Sequence, residues 1–187
     1  RNPLCGRNFE YLSEDPVLAG NIGAAYIQGV QSAGAGTSLK HFAANSQEIN
    51  RFEVDAVVSK RAMRELYLKN FEIAVKKSAP WTLMSSYNRL NGPYTQASRE
   101  LLTDVLRKEW NFKGIVMTDW TGHRNTTEQI YAGSDLLEPG GDQQIKDIID
   151  GVKSGKLDIK DVDVDVKRVL EFEVTSSRKP TACSRIT

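Results

Sequence analysis

The sequence predicts an α/β protein built on a parallel sheet, with about four to five βα units. Short apolar runs of strand length alternate with stretches of helical spacing along its 187 residues. The segments between those runs are long enough to be helical crossovers, which parallel strands need and hairpins do not. That number of units is too small for a closed eight-stranded barrel of about 250 residues. The sheet is therefore either open or a large piece of a barrel.

The elements follow in order. Asp15-Pro16 is a helix start, with Asp as N-cap and Pro at the first helical position. Ile22, Tyr26, Ile27 and Val30 continue it at helical spacing, and Gly34 and Gly36 stop it. Residues 37–42 read as a short strand. Ser59 opens a second helix, with Met63, Leu66, Tyr67, Phe71, Ala74 and Val75 on one stripe, and Pro80 ends it. Residues 81–87 are a second strand, and Asn91-Gly92-Pro93 is a loop. Ser98 begins a helix carrying Leu101, Leu102, Val105, Leu106 and Trp110, which Gly114 breaks. Gly114 to Asp119 reads as a third strand, and Asp135-Leu136-Leu137 as a weaker fourth. A helix with Ile145, Ile148, Ile149 and Val152 follows, and a last one spans about Val162 to Phe172. Residues 1–174 form the folded domain. The tail from Thr175 to Thr187 is polar, lacks periodicity and is expected to be disordered.

The bulk properties exclude several function classes. A net charge of +1 with no long basic run gives no sign of nucleic acid. No run of about 18 apolar residues predicts a membrane span. Arg1-Asn2-Pro3-Leu4-Cys5 is not a signal peptide, and the compartment stays open. Cys5 and Cys183 are too far apart in sequence to suggest a disulfide framework or a metal site, and read as free thiols. No cofactor is implied.

The informative stretch is Gly114-Ile115-Val116-Met117-Thr118-Asp119-Trp120, an apolar run that closes on a carboxylate and a tryptophan. An acid at the C-terminal end of a buried strand is poorly explained by packing, and barrel enzymes place catalytic groups there. The alternative is an N-cap for the next helix. Lys40-His41 and Tyr87-Asn88 close other strands in the same way, and Arg7 and Glu10 lie in a Gly-led loop. Polar clusters at successive strand ends suit a sugar: charged groups hold hydroxyls and an indole covers an apolar ring face. His123 has no strand context and reads as surface. Trp81 and Trp110 read as core, and Asn45, Gln47 and Glu48 as loop hydrogen-bonding groups. Two chemistries fit. Asp119 would be the nucleophile of glycosidic bond cleavage, or Lys40 would form a Schiff base, for which it needs burial or a neighbouring cation. His41 is adjacent, but neighbours on a strand point to opposite faces.

The motifs resemble those of glycoside hydrolase family 3, the β-glucosidase and β-xylosidase group. Gly6-Arg7-Asn8-Phe9-Glu10 with Ser13-Glu14-Asp15-Pro16 resembles its GRNFE…SEDP loop, and Lys40-His41-Phe42-Ala43-Ala44-Asn45 with Gln47-Glu48 and Arg51 resembles its KHF…QE…R segment. Met84-Ser85-Ser86-Tyr87-Asn88 with Asn91-Gly92 resembles its SYN…NG segment. Gly114 to Trp120 resembles its nucleophile strand, and Leu136-Leu137-Glu138-Pro139-Gly140 the next strand end. Together these cover about residues 1–172.

The resemblance implies a partial (β/α)8 TIM-type barrel and a retaining β-glucosidase-like reaction on a β-glucoside or oligosaccharide. Asp119 matches the nucleophile. Arg7, Lys40 and His41 match residues that hold the non-reducing sugar. Tyr87 matches a neighbour of the nucleophile, Met84 a subsite wall and Trp120 an aromatic of the sugar pocket. Such enzymes hold two carboxyl groups about 5–5.5 Å apart. In this family the second, the acid/base, commonly comes from a C-terminal domain, and this chain carries none. The N-terminal part of the barrel is also missing. The β-N-acetylglucosaminidase branch carries its acid/base His within KHFPGHG, where this chain reads Lys40-His41-Phe42-Ala43-Ala44-Asn45-Ser46. The chain thus resembles a nucleophile-bearing fragment. Its exposed strand edges predict a homo-oligomer or a complementing domain.

Overall fold

A computed structural model describes residues 3–122 and 125–177. His123, Cys183 and most of the expected tail lie outside the described residues. Helix α1 (Pro16–Ser32) starts as read, with Asp15 Oδ1 accepting from Val17 N at 2.7 Å and Leu18 N at 3.2 Å. Its buried face is Gly20, Gly23, Ala24 and Ile27, while Ile22 and Tyr26 are exposed. The small residues let the helix come close: a Cβ on Gly20 would stand 2.8 Å from Ile73 Cβ and 3.0 Å from Asn70 O. Strand β1 (Ser38–Phe42) follows, and then a two-residue strand, β2 (Asp55–Ala56).

The helix opened by Ser59 has three parts: α2 (Lys60–Ala62), a π-helical turn (Met63–Tyr67) and α3 (Lys69–Ser78). The wide turn, closed by Leu68 N to Met63 O at 2.8 Å, shifts the phase of the stripe. Leu68 is buried in place of Leu66, which is exposed, while Phe71, Ala74 and Val75 stay inside. Strand β3 (Thr82–Ser85) and the two-residue β4 (Arg89–Leu90) lead to Ser98, whose Oγ accepts from Leu101 N at 3.3 Å. The helix over Glu100–Glu109 is π-helical and ends with Trp110 N donating to Val105 O. It buries Leu101, Leu102, Val105 and Leu106. Strand β5 (Ile115–Met117) comes next.

Three elements were not expected. Strands β2 and β4 pair in parallel with each other, and α4 (Thr126–Ala132) is capped by Asn125. Helix α5 covers Asp142–Lys153. Helix α6 runs from Ile159 to Ser177, longer at both ends than the apolar spacing indicated. Thr175–Ser177, the head of the expected tail, are therefore helical. No helix among the described residues is long and apolar enough to cross a membrane.

The main sheet has the order β1-β3-β5, all parallel, with Leu83 beside Leu39 and Val116. Leu136 extends it through a parallel bridge to Met117. Four strand positions thus lie side by side in chain order. A doubly wound sheet would reverse direction at a switch point; a (β/α)8 barrel winds one way, and this is a partial barrel of that type.

Phe42 and Leu83 are fully buried under the helices. The Phe42 ring meets Phe71 edge-on at 5.0 Å and Trp110 at 5.8 Å. Trp110 is core, as read. Trp81 is half-buried and leans edge-on against Phe172 at 6.2 Å.

Candidate active site

The polar residues gather where the C-terminal ends of β1, β3 and β5 meet the Gly-led loop. A single 3-10 turn, Asn8–Glu10, brings Arg7 and Glu10 into the loop's inner side. Arg7 Nε donates to Glu10 Oε1 in a short contact. Lys40 Nζ lies 3.4 Å from Glu10 Oε2, and His41 Nδ1 lies 3.7 Å from Glu10 Oε1. Lys40 and His41 therefore serve one carboxylate. The alternation expected of strand neighbours fails because the β1 register shifts between Leu39 and Phe42.

Asp119 follows β5 and is buried. Its Oδ1 accepts from Trp120 N at 2.9 Å, and its Oδ2 faces His41 Nε2 at 3.5 Å. It does not cap a helix, since α4 takes Asn125 for that. Trp120 turns outward and is 56% exposed. Tyr87 is buried beyond β3, under the Arg51 guanidinium at 4.7 Å and beside Phe52 at 4.5 Å. Met84 pairs with Met117 across β3 and β5 and is half-buried.

Electrostatics sharpen these roles. Burial pushes His41 down to about 4, against the pull of Asp119 and with help from Lys40 and Arg7. The imidazole is neutral at pH 7. Burial, and then the Asp119 charge, push the Tyr87 phenol up to about 12, so it keeps its proton. Burial alone would raise the Glu10 carboxyl, but Arg7, Lys40 and His41 outweigh it and hold it below its usual range.

The structure thus brings together Arg7, Lys40, His41, Tyr87, Asp119 and Trp120, with Met84 on the central strand β3. The burial that a Schiff base at Lys40 could draw on is not found. The Lys40 side chain is 44% exposed and ion-paired, not buried. Two further participants stand outside the sugar-holding set that the sequence suggested. Glu48 accepts from Arg51 Nη1 at 3.0 Å and lies 3.8 Å from Arg7 Nε. Arg51 covers Tyr87. An acid and an arginine three apart, following the polar end of β1, were the available hint. Among the described residues, no His/Cys/Asp/Glu group is arranged to hold a metal ion.

Known proteins resemble this chain closely. It is 46% identical to thermostable β-glucosidase B of Acetivibrio thermocellus over 185 residues, which is 97% of this chain and 24% of that protein. It is 56% identical over 139 residues to an exo-α-(1→6)-L-arabinopyranosidase of Bifidobacterium breve, 74% of this chain and 18% of that one. The structure of β-glucosidase 3B from Thermotoga neapolitana in complex with glucose superposes with a TM-score of 0.90 and 52% identity, covering 93% of this chain and 26% of that chain. The chain spans about a quarter of the length of the curated β-glucosidase it matches. The glycosyl hydrolase family 3 N-terminal domain matches residues 1–172, and the chain belongs to that family.

Proposed function

We propose that this chain carries the nucleophile of a retaining β-glycosidase, β-glucosidase-like, acting on terminal non-reducing β-D-glucosyl residues. Asp119 attacks the anomeric carbon and forms a glycosyl-enzyme ester, with departure of the aglycone. The observation that carries this reading is the placement of Asp119: a buried carboxylate after β5 whose Oδ2 faces a neutral His41 at 3.5 Å. Arg7, Lys40 and His41 offer donors to sugar hydroxyls. Tyr87, kept protonated, lies within the field of the Asp119 charge. The exposed Trp120 indole is a platform for the ring, and Met84 a wall.

The acid/base is not supplied by this site. Glu10 is held ionised by its cations, and the Asp135 side chain is fully buried between Arg107 and Arg168. We propose that a complementing domain or a second copy of the chain supplies it. General acid help is worth about 10²–10⁴-fold, so aryl β-glucosides with good leaving groups are the substrates expected to turn over.

Intact-mass analysis after incubation with a 2-deoxy-2-fluoro-β-glucoside, followed by peptide mapping, tests the reading. A fluoroglucosyl adduct on Asp119 is expected. Aryl glucoside hydrolysis left unchanged by Asp119→Ala would overturn it. A second reading is sugar binding without turnover, favoured by Glu10 being tied to Arg7 and Lys40. Calorimetric binding of glucose with no adduct would select it.

A further inference from the structure

Gln96 stands in the middle of the 3-10 turn Thr95–Ala97, and its side chain is fully buried between the loop after β3 and the loop after β5. Its Nε2 donates to the main-chain oxygen of Asp119 at 3.2 Å. Its Oε1 accepts from Gln129 Nε2 of α4 at 3.2 Å, and its own main-chain oxygen accepts from Ser134 Oγ at 2.9 Å. A carbonyl oxygen only accepts, so the NH2 of Gln96 must face Asp119 and the oxygen must face Gln129. Gly122 closes the fourth side. A Cβ there would lie 2.2 Å from Gln96 Nε2 and 2.4 Å from Oε1.

This amide holds Asp119 where the sheet stops doing so. Beyond β5 the pairing is discontinuous: Thr121 N donates to Glu138 O at 3.3 Å and Thr118 N to Leu136 O at 2.9 Å. At Asp119 the carbonyl turns to Gln96. We propose that Gln96 is a positioning residue for the Asp119 carboxylate, fixing its backbone and hence the line along which Oδ2 approaches a sugar carbon. The proposal rests on Asp119 being the nucleophile. Of the groups assigned to hold the sugar, Trp120 shares the Asp119 segment, while Arg7, Lys40 and His41, which grip the hydroxyls, stand on other segments. Loss of Gln96 should therefore slow the bond-forming step and leave most of the affinity in place.

The test uses the whole chain and a dinitrophenyl 2-deoxy-2-fluoro-β-D-glucoside. An Asp119 oxygen bonds to C1, and dinitrophenolate leaves with the electron pair of the broken bond. Adduct formation is followed by intact mass over a range of probe concentrations, giving a maximal rate and a half-saturating concentration. Gln96→Met keeps the length but removes donor and acceptor. In a variant shown to be folded by its melting curve, the maximal rate should fall about 10- to 100-fold, with half-saturation within about twofold. Gln96→Glu adds a readout that a merely structural role would not move. A neutral carboxyl can donate to Asp119 O and accept from Gln129, whereas an ionised one sets an oxygen against an oxygen. Its rate relative to the parent chain should therefore rise as pH falls from 8 to 5.

A folded Gln96→Met variant with an unchanged maximal rate, or one losing rate and affinity in proportion, overturns the proposal. If the parent chain forms no adduct, the catalytic reading fails on its own. The carbonyl ¹³C resonance of Asp119 then decides the tether separately: a shift in Gln96→Met supports it and an unmoved resonance refutes it.

Discussion

His41 Nε2 and Asp119 Oδ2 face each other at 3.5 Å with both side chains buried, yet they are not an ion pair at neutral pH. Burial of the imidazole outweighs the attraction of the carboxylate. The neighbour of Asp119 is therefore a neutral imidazole that can still donate one N–H.

The expected NMR titration of His41 has its midpoint near 4. Asp119→Asn removes the larger of two attractions, the other being Glu10, and should lower it further. The unfolded chain takes up this proton near 6.5 and the folded chain near 4. The contribution to stability is thus complete above 6.5 and is lost as pH falls from 6.5 towards 4. A midpoint at or above 6.5 would contradict the burial argument.

A second titration lies below the sheet. Asp135 accepts from Val116 N at 2.7 Å and from Arg107, and pairs with Arg168 at 3.0 Å. Arg168 also holds Asp165 at 3.0 Å. Burial first, and then the Asp135 charge, push the Asp165 carboxyl up to about 8, against Arg168 and Arg107. Its folded pKa lies above its unfolded value of 3.8. The stability it contributes is full below that value, and is lost as pH rises through about 8. Thermal melts of Asp165→Asn from pH 5 to 9 should show a flatter profile than the parent and a higher midpoint at pH 9. Parallel profiles would show that Asp165 does not titrate in the cluster.

Gly114 tests the join between β3 and β5. A Cβ there would stand 2.3 Å from Trp81 O and 2.7 Å from Phe112 Cζ, beside the bond from Ile115 N to Trp81 O. Backbone cannot yield as a flexible side chain does. Gly114→Ala should cost about 1–3 kcal/mol in urea unfolding. Gly29, inside α1, is the control, because a Cβ added there would meet nothing within 4 Å. Gly29→Ala should stabilise by about 0.5–1 kcal/mol. Equal effects at the two positions would remove the steric argument.

Capping residues and apolar stripes made much of the fold legible: Asp15, Ser59 and Ser98 start helices as read, and the apolar run before Asp119 is β5. The phase of the second helix was not legible, because the wide turn at Met63–Tyr67 leaves no mark in a 3.6-residue pattern. Helix α4 is only seven residues long and buries Ile130 and Ala132 as its apolar members, too few to set a period. In the site, residues at strand ends could be found, because strands end where apolar runs do. Gln96 acts from a 3-10 turn and reaches Asp119, far away in sequence. No local pattern records such contacts.

The strand order also divides the site by compliance. Asp119 follows β5, which is flanked by β3 on one side and by Asp135-Leu136 on the other. Lys40 and His41 stand on β1, which has a strand neighbour on one side only among the described strands. Along its other edge runs a cavity of about 510 Å³ between Glu10, Lys40 and α1. The proposed nucleophile thus has strand support on two sides, and Lys40 and His41 on one. A change along the outer edge of β1 is expected to reach the proposed sugar-holding groups before it reaches Asp119.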